Sequence, residues 1–455
     1  MRLRLTAAAI LAALALAAPE AAGAATGPVS SHAQVHTCCM PGAQVDRVFA
    51  ESKAMGAAFI RVDFELNAIF EAHGAPLATP DWSRVDHVLE LSRQYDLPVL
   101  GIVLGTPMWI SACAERWPDS GRCAATDPAE FGRLAGELAA HAGGQVSHWE
   151  ILNEPDGEWA FDGTPEDYAR MLSASHDAIR AREPEDQVAL GGVMTPWKTD
   201  WLERVFATPG ADAAHKFEIA SVHLRGKASG LAHNLTGWRA FLARYGFSGP
   251  VWVTEHGYSA DATYQTDPAY VGGEPAQAAY IRRSLLSLAE AGAGQVFVTL
   301  RDWGEREWAS EGVVDMQNSG EFAVRRKPAF DVVRGFARDW PSIVQWRAQQ
   351  HLHERRSATA EGLASSSELR GRALKRSRDH AGAALRAERR RLRRLRARRA
   401  RARAAASSRR VRRLRSELRR VERELGTAIA GTAAYRGDQV ANAVQAAEYR
   451  QRVEG

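Results

Sequence analysis

From about residue 30 to residue 340, short apolar runs rich in β-branched residues alternate with stretches whose apolar positions recur at helical spacing. The runs Ala33–Thr37, Phe59–Phe64, Val99–Leu104, Ser147–Asn153, Val188–Val193, Ile219–Leu224, Val251–Glu255 and Val296–Leu300 read as strands. Between them Pro80–Tyr95, Pro128–His141, Pro165–Arg182 and Pro275–Ala291 read as helices, each opening at a proline suited to a first helical turn. Strict strand–helix alternation predicts a parallel α/β fold. Eight such repeats within a length near the ~250 residues typical of a barrel favour a closed (β/α)8 TIM barrel over an open sheet. The barrel ends at a helix around Pro328–Ala337, so the domain spans residues 30–340.

Beyond it the pattern changes. Residues 341–370, with the serine-rich patch ASSSE, read as a linker. In 371–432 the polar stretches become basic and helical, and Val411, Leu414, Leu418, Val421 and Leu425 follow the alternating three–four spacing of a coiled-coil seam. Leu385, Leu392 and Leu395 offer a shorter seam; a helical hairpin and a self-associating coiled coil both fit. The last stretch, 433–455, reads as either helical or disordered.

Charge separates the same two parts. Residues 370–423 hold 24 Lys/Arg against 4 Asp/Glu, a formal +20, while the whole chain is only +5, leaving −15 on the remainder. An acidic body carries a basic helical extension, which should bind polyanions with an affinity that falls as salt rises. The N-terminus tells which polyanions it meets. Arg2 and Arg4 precede an apolar run from Thr6 to Ala18, too short to span a bilayer comfortably, and Ala22-Gly23-Ala24 follows as a cleavage site. Residues 1–24 thus read as a secretory signal peptide, with a retained anchor as the alternative, and the mature chain is expected to be secreted or associated with the cell envelope. Anionic envelope polymers or acidic polysaccharides are then the expected partners of residues 370–423, ahead of nucleic acid. Export permits disulfides. Of the four cysteines, Cys113 and Cys123 are the favoured pair, and the pairing of the adjacent Cys38 and Cys39 stays open. The cysteine spacings do not resemble a zinc site, and no metal or organic cofactor is expected.

Candidate chemistry lies at the ends of strands. Pro155 cannot continue a ladder, so Glu154 in HWEILNEPDG stands at the exit of the fourth strand; simple alternation puts Glu150, Leu152 and Glu154 on one side and Asn153 on the other. Glu255 in PVWVTEHGY ends the seventh strand, on the side of Val251 and Val253. In FIRVDF, Ile60, Val62 and Phe64 form an apolar outer face and turn Arg61 and Asp63 inward, where a buried arginine requires a carboxylate such as Asp63, Glu150 or a catalytic glutamate. A lone glutamate at a strand end is usually a solvated loop residue; two on the fourth and seventh strands of eight are far more specific.

WEILNEP and VWVTEHG resemble the strand-four and strand-seven signatures of the clan A glycoside hydrolases, with family 39-like and family 5-like members the nearest in feel, over roughly Val35–Ala337. The resemblance implies a retaining mechanism with Glu154 as acid/base and Glu255 as nucleophile, needing no cofactor. It places Asn153 at the sugar 2-hydroxyl, Arg61 in support of the nucleophile, His223 beside the site and Trp303 at the floor of the sugar subsite. Trp109 and Trp159 would line further subsites. Where such proteins often carry an aromatic residue two positions after the histidine, this chain has Arg225, which leaves Tyr258 as a substitute partner for the nucleophile. The substrate implied is a β-linked oligo- or polysaccharide. A barrel that binds polysaccharide without cleaving it, or an envelope protein acting through the basic coiled coil, is the alternative.

Overall fold

The computed structural model describes residues 28–113, 121–194, 199–316, 324–397 and 408–424. The signal segment 1–24, Leu425 and the stretch 433–455 lie outside the described residues. The chain divides into two compact units, Met1–Trp340 and Pro341–Gly455.

The first unit is a closed barrel of eight parallel strands. In chain order these are β1 (Val29–His36), β2 (Ile60–Glu65), β3 (Val99–Leu104), β4 (His148–Asn153), β5 (Gln187–Val193), β6 (Ile219–His223), β7 (Val251–His256) and β8 (Gln295–Thr299). Each pairs with its chain neighbours, and β8 closes on β1 through Val29–Val296 to His32–Thr299. All eight expected strands are present. The first begins four residues earlier than its apolar pattern indicated, because Ser30, Ser31 and His32 are buried polar residues.

Among the described residues, the connecting helices of seven residues or more are α1 (Gly42–Met55), α2 (Ser83–Tyr95), α3 (Pro128–Ala142), α4 (Pro165–Arg182), α5 (Asp200–Phe206), α6 (Leu231–Ala243) and α7 (Glu274–Glu290). Their ends are written in the sequence. Asp127 caps α3 by accepting from the amides of Ala129 and Glu130, and Thr164 forms a reciprocal capping box with Asp167 at the start of α4. The barrel interior is closed by a buried cluster drawn from five strands, Leu100, Ala189, Ile219, Trp252 and Phe297, with Phe59 packed against it. This plug leaves the opposite, C-terminal ends of the strands for polar side chains.

A helix α8, Pro328–Ala397, follows, and residues 408–424 are also helical. The segment 341–370, expected as a linker, is helical throughout. After Pro341 it contains no proline and a single glycine, and its Ala, Gln, Glu, Arg and Leu content favours helix enough to absorb the serine patch. Within the second unit Ala360, Ala364, Ala381, Leu385 and Glu388 are buried on α8, and Val411 and Val421 on the 408–424 helix. No helix of the described residues is long and apolar enough to cross a membrane.

Candidate active site

Arg61, on β2, is the hub of the site. It is 1% exposed and distributes its N–H groups over four acceptors, one of them His32 Nδ1 at 3.3 Å from Nη1. Nε donates to Glu150 Oε2 at 2.8 Å, Nη1 to Glu255 Oε1 at 2.9 Å and Nη2 to Asn153 Oδ1 at 2.7 Å. Burial alone would lower the pKa of its guanidinium, but the charges of Glu150 and Glu255 outweigh that and raise it. Arg61 thus joins β2 to β4 and β7 through the middle of the barrel.

Simple alternation fails on both strands that carry the carboxylates. On β4, Leu152 and Glu154 adopt left-handed backbone angles, φ +63° and +46°. The turn of phase at Leu152 brings Asn153 onto Arg61 together with Glu150, instead of opposing it. Non-glycine residues in this region cost on the order of 1–3 kcal/mol each and persist where the surroundings enforce them. On β7 the register shifts beside Glu255. Consecutive residues consequently reach the same network, Thr254 Oγ1 donating to Glu150 Oε1 at 3.1 Å and Glu255 accepting from Arg61.

Glu255 is 7% exposed, and its two oxygens have different neighbours. Oε1 lies 2.9 Å from Arg61 Nη1 and 3.6 Å from His32 Nε2; Oε2 lies 3.3 Å from Arg225 Nη2 and 3.6 Å from His223 Nδ1. Burial would raise the pKa of this carboxyl, yet His223, His32, Arg61 and Arg225 together hold it well below the ordinary carboxylate range. Burial dominates at His32 and lowers its pKa to about 4, so near neutrality the arginines supply the lasting positive charge. Glu255 is therefore an ionised carboxylate in a largely dry setting.

Glu154 faces it. His223 Nδ1 is 2.7 Å from Glu154 Oε1, and the indole N–H of Trp159 donates to Glu154 Oε2 at 3.2 Å. One oxygen of each carboxylate and one nitrogen of His223 lie within 4.8 Å of one another. Gly192 on β5 makes the approach of His223 feasible, because a Cβ there would overlap the imidazole. His36, Asp63 and Glu65 form a second group with ligating atoms this close. Its His36 Nδ1 is held by Asp63 at 2.7 Å and Glu65 at 3.3 Å, so the group is internally ion-paired.

The remaining expected residues are placed less centrally. Tyr258, offered as a partner of the nucleophile, instead donates to the carbonyls of Tyr270 (2.9 Å) and Asp267 (3.3 Å) and stacks on Tyr280 at 3.8 Å. Arg225 occupies the position beside Glu255: the loop after β7 carries the Tyr258 phenol away, while the longer arginine side chain reaches back. Trp303 packs on Trp308 at 5.2 Å, and Trp109 is half-buried in the turn Met108–Ile110. Trp159 is 57% exposed beside Glu154. Cys113 pairs with Cys123, and Cys38 with Cys39. Sequence reasoning missed His32 and Glu311. The apolar pattern started β1 one residue too late for the first, and nothing local marks the second.

The architecture is a closed (β/α)8 barrel, a fold also found in solved structures of glycoside hydrolases. Solved structures with this fold include a family 39 glycoside hydrolase from the gut symbiont Bacteroides cellulosilyticus WH2 (TM-score 0.50, 14% identity, 68% of this chain and 64% of that one). The exo-β-1,4-mannosidase Op5Man5 from Opitutaceae bacterium strain TAV5 gives a TM-score of 0.51 at 20% identity, covering 70% of this chain and 60% of that one. A GH5_18 protein from Streptomyces cattleya, in complex with GlcNAc, gives 0.51 at 17% identity, covering 70% and 81%. The chain thus spans less than two thirds of the length of the first and second of these, and at such identities the likeness is one of fold. No protein-family model and no curated protein matches the sequence.

Proposed function

We propose that this protein is a retaining β-glycoside hydrolase acting on an oligo- or polysaccharide, exported and held at an anionic surface by its basic helical unit. The observation that carries the proposal is the close approach of Glu154 and Glu255, one oxygen of each lying within 4.8 Å of the other. Retaining enzymes place their carboxyl groups about 5–5.5 Å apart, whereas inverting enzymes need roughly 6.5–9.5 Å to admit a water. In this reading Glu154 protonates the departing glycosidic oxygen while Glu255, ionised between Arg61 and Arg225, attacks the anomeric carbon and forms a glycosyl ester. Glu154, now a carboxylate, takes a proton from water, which cleaves the ester and regenerates both groups. Asn153, fixed by Arg61, is placed to bond the 2-hydroxyl beside the nucleophile.

The deciding experiment is labelling with 2-deoxy-2-fluoro β-glycosides. Mannosides and N-acetylglucosamine-containing glycosides come first, following the mannosidase and the GlcNAc complex among the structural neighbours, then xylosides, glucosides and uronides. A covalent adduct on Glu255 that is absent from Glu255→Gln supports the proposal. Binding of the same glycans without adduct or hydrolysis would favour a barrel that binds polysaccharide only.

A further inference from the structure

We infer that Glu311 is a positioning residue for the nucleophile, acting through Arg225 to keep the attacking oxygen of Glu255 free. The inference rests on the reading of Glu255 as nucleophile. Oε1 of Glu255 is anchored by the 2.9 Å bond from Arg61, while Oε2 lies toward His223, the residue that holds Glu154. Oε2 is therefore the oxygen on the acid/base side, where the anomeric carbon must sit. Among the described residues its one hydrogen-bond donor is Arg225 Nη2, at the long distance of 3.3 Å.

Glu311 accounts for that distance. It takes Arg225 in a bidentate grip, Nε to Oε1 at 2.9 Å and Nη2 to Oε2 at 3.2 Å. Thr299 Oγ1, at the end of β8, donates to Glu311 Oε2 at 3.1 Å. Glu311 is 3% exposed, and burial would raise its pKa; the charge of Arg225 outweighs this and holds it ionised. The surrounding chain is shaped to deliver this carboxylate. Gly257, two residues after the nucleophile, leaves room for it, since a Cβ there would lie 2.5 Å from its carboxyl carbon. The Gln277 amide donates to the carbonyls of Glu311 (3.0 Å) and Tyr258 (2.8 Å), and Asp302 accepts from the Gly312 amide at 2.9 Å.

A long arginine with no other partner would close onto Glu255 and make a short, charge-assisted bond to Oε2. That bond would have to weaken as the carboxylate gives up its charge to the new ester. With Glu311 in place Arg225 is committed elsewhere: it lends positive potential to the nucleophile without clamping it.

A double-mutant cycle in the full-length protein tests this. Glu311→Gln should lower kcat about 10–100-fold with KM little changed, the size of loss that small misplacements at a reacting centre produce. Arg225→Gln should move the acid limb of the pH profile upward, because a counter-charge of Glu255 is removed. In the Arg225→Gln background, Glu311→Gln should cost less than about 2-fold, because residues acting as one unit are not additive. Equal losses in both backgrounds, or unchanged kcat in Glu311→Gln, would overturn the inference. The double variant leaves no unpaired buried charge, so it remains informative if a single variant folds poorly. A crystal structure of Glu311→Gln gives an answer that needs no substrate: Arg225 Nη2 should move closer to Glu255 Oε2, and an unmoved Arg225 counts against the idea. Full turnover by Glu255→Gln would instead remove the underlying assignment of the nucleophile.

Discussion

Arg61 on β2 donates to Glu255 on β7 at 2.9 Å across the barrel interior, and the same guanidinium holds Glu150 at 2.8 Å. Removing one partner of a buried ion pair leaves an uncompensated charge and typically costs about 3–5 kcal/mol. Arg61→Met strands Glu150 and leaves Glu255 with Arg225 as its arginine, so a destabilisation of about that size is expected in a denaturant titration. Arg61→Lys keeps the charge but loses the fork that serves four acceptors. It should retain most of the stability and lose kcat by about 10-fold or more. Wild-type stability in Arg61→Met would show that the network contributes little to folding.

Gly192→Ala probes the His223–Glu154 bond without touching either residue. The added methyl group would overlap the His223 imidazole and lie 2.9 Å from Glu150 Oε1, so the imidazole must leave its present position against Glu154. Turnover should fall about 100-fold, in keeping with the cost of displacing a reacting group by an ångström. A variant with full activity would mean that His223 does not set the position of Glu154.

Glu154→Ala separates the acid from the base role. Glycosides with poor leaving groups should lose about 100–10,000-fold in kcat/KM, the range for general acid catalysis. Aryl glycosides with very good leaving groups should still form the ester, and added azide should restore turnover by attacking it from the face that Glu154 vacates. The product would be a β-glycosyl azide, identifiable by NMR; an α-azide would contradict retention.

Stability should fall between pH 6.5 and 4. Burial lowers the pKa values of His32, His148 and His256 from 6.5 to about 4, so below pH 6.5 the unfolded chain binds protons that the folded chain refuses. Their contribution is complete above pH 6.5 and is lost as pH falls toward 4. His36 has the opposite sign. Burial works against its charge, but Asp63 and Glu65 outweigh it and raise the pKa to about 10. Its contribution is complete below pH 6.5 and disappears as pH rises through 10, and it is modest because the side chain is 45% exposed. Urea midpoints measured at pH 7, 5.5 and 4.5 should decline, and His148→Phe, which keeps an aromatic ring 5.3 Å from Trp252, should flatten the decline.

Arg409, Arg410, Arg412, Arg413 and Arg415 are all exposed on the 408–424 helix. Changing these to glutamine in the full chain should reduce the steepness with which binding to a heparin column weakens as salt rises. Hydrolysis of small soluble glycosides should be unaffected. An unchanged salt slope would place polyanion binding outside this helix.

Much of this could be read locally. All eight strands, the helices Pro128–Ala142 and Pro165–Arg182, and Glu154 and Glu255 at strand ends follow from apolar periodicity, caps and prolines. The helical state of 341–370 follows from an otherwise helix-favouring composition that outweighs its serine patch. At the site, the pattern around Arg61 already demanded a carboxylate, but which one depends on the far side of the barrel. Arg225 could be recognised as unusual, though only its fit against Glu255 and Glu311 gives that a meaning.

The sequence by itself determined the barrel, the basic extension and the two glutamates, because periodicity and chain punctuation are local properties that act within a few residues. The tertiary structure decided which side chains share the site. Left-handed backbone at Leu152 and Glu154 and a register shift on β7 overrode simple alternation, turning Asn153 and Glu255 toward one arginine and Thr254 toward its partner Glu150. His32 and Glu311 lie 223 and 56 residues from Glu255 along the chain and beside it or its arginine in space. Closure of the sheet creates those distances, and electrostatics across a closed interior has no counterpart in a linear pattern.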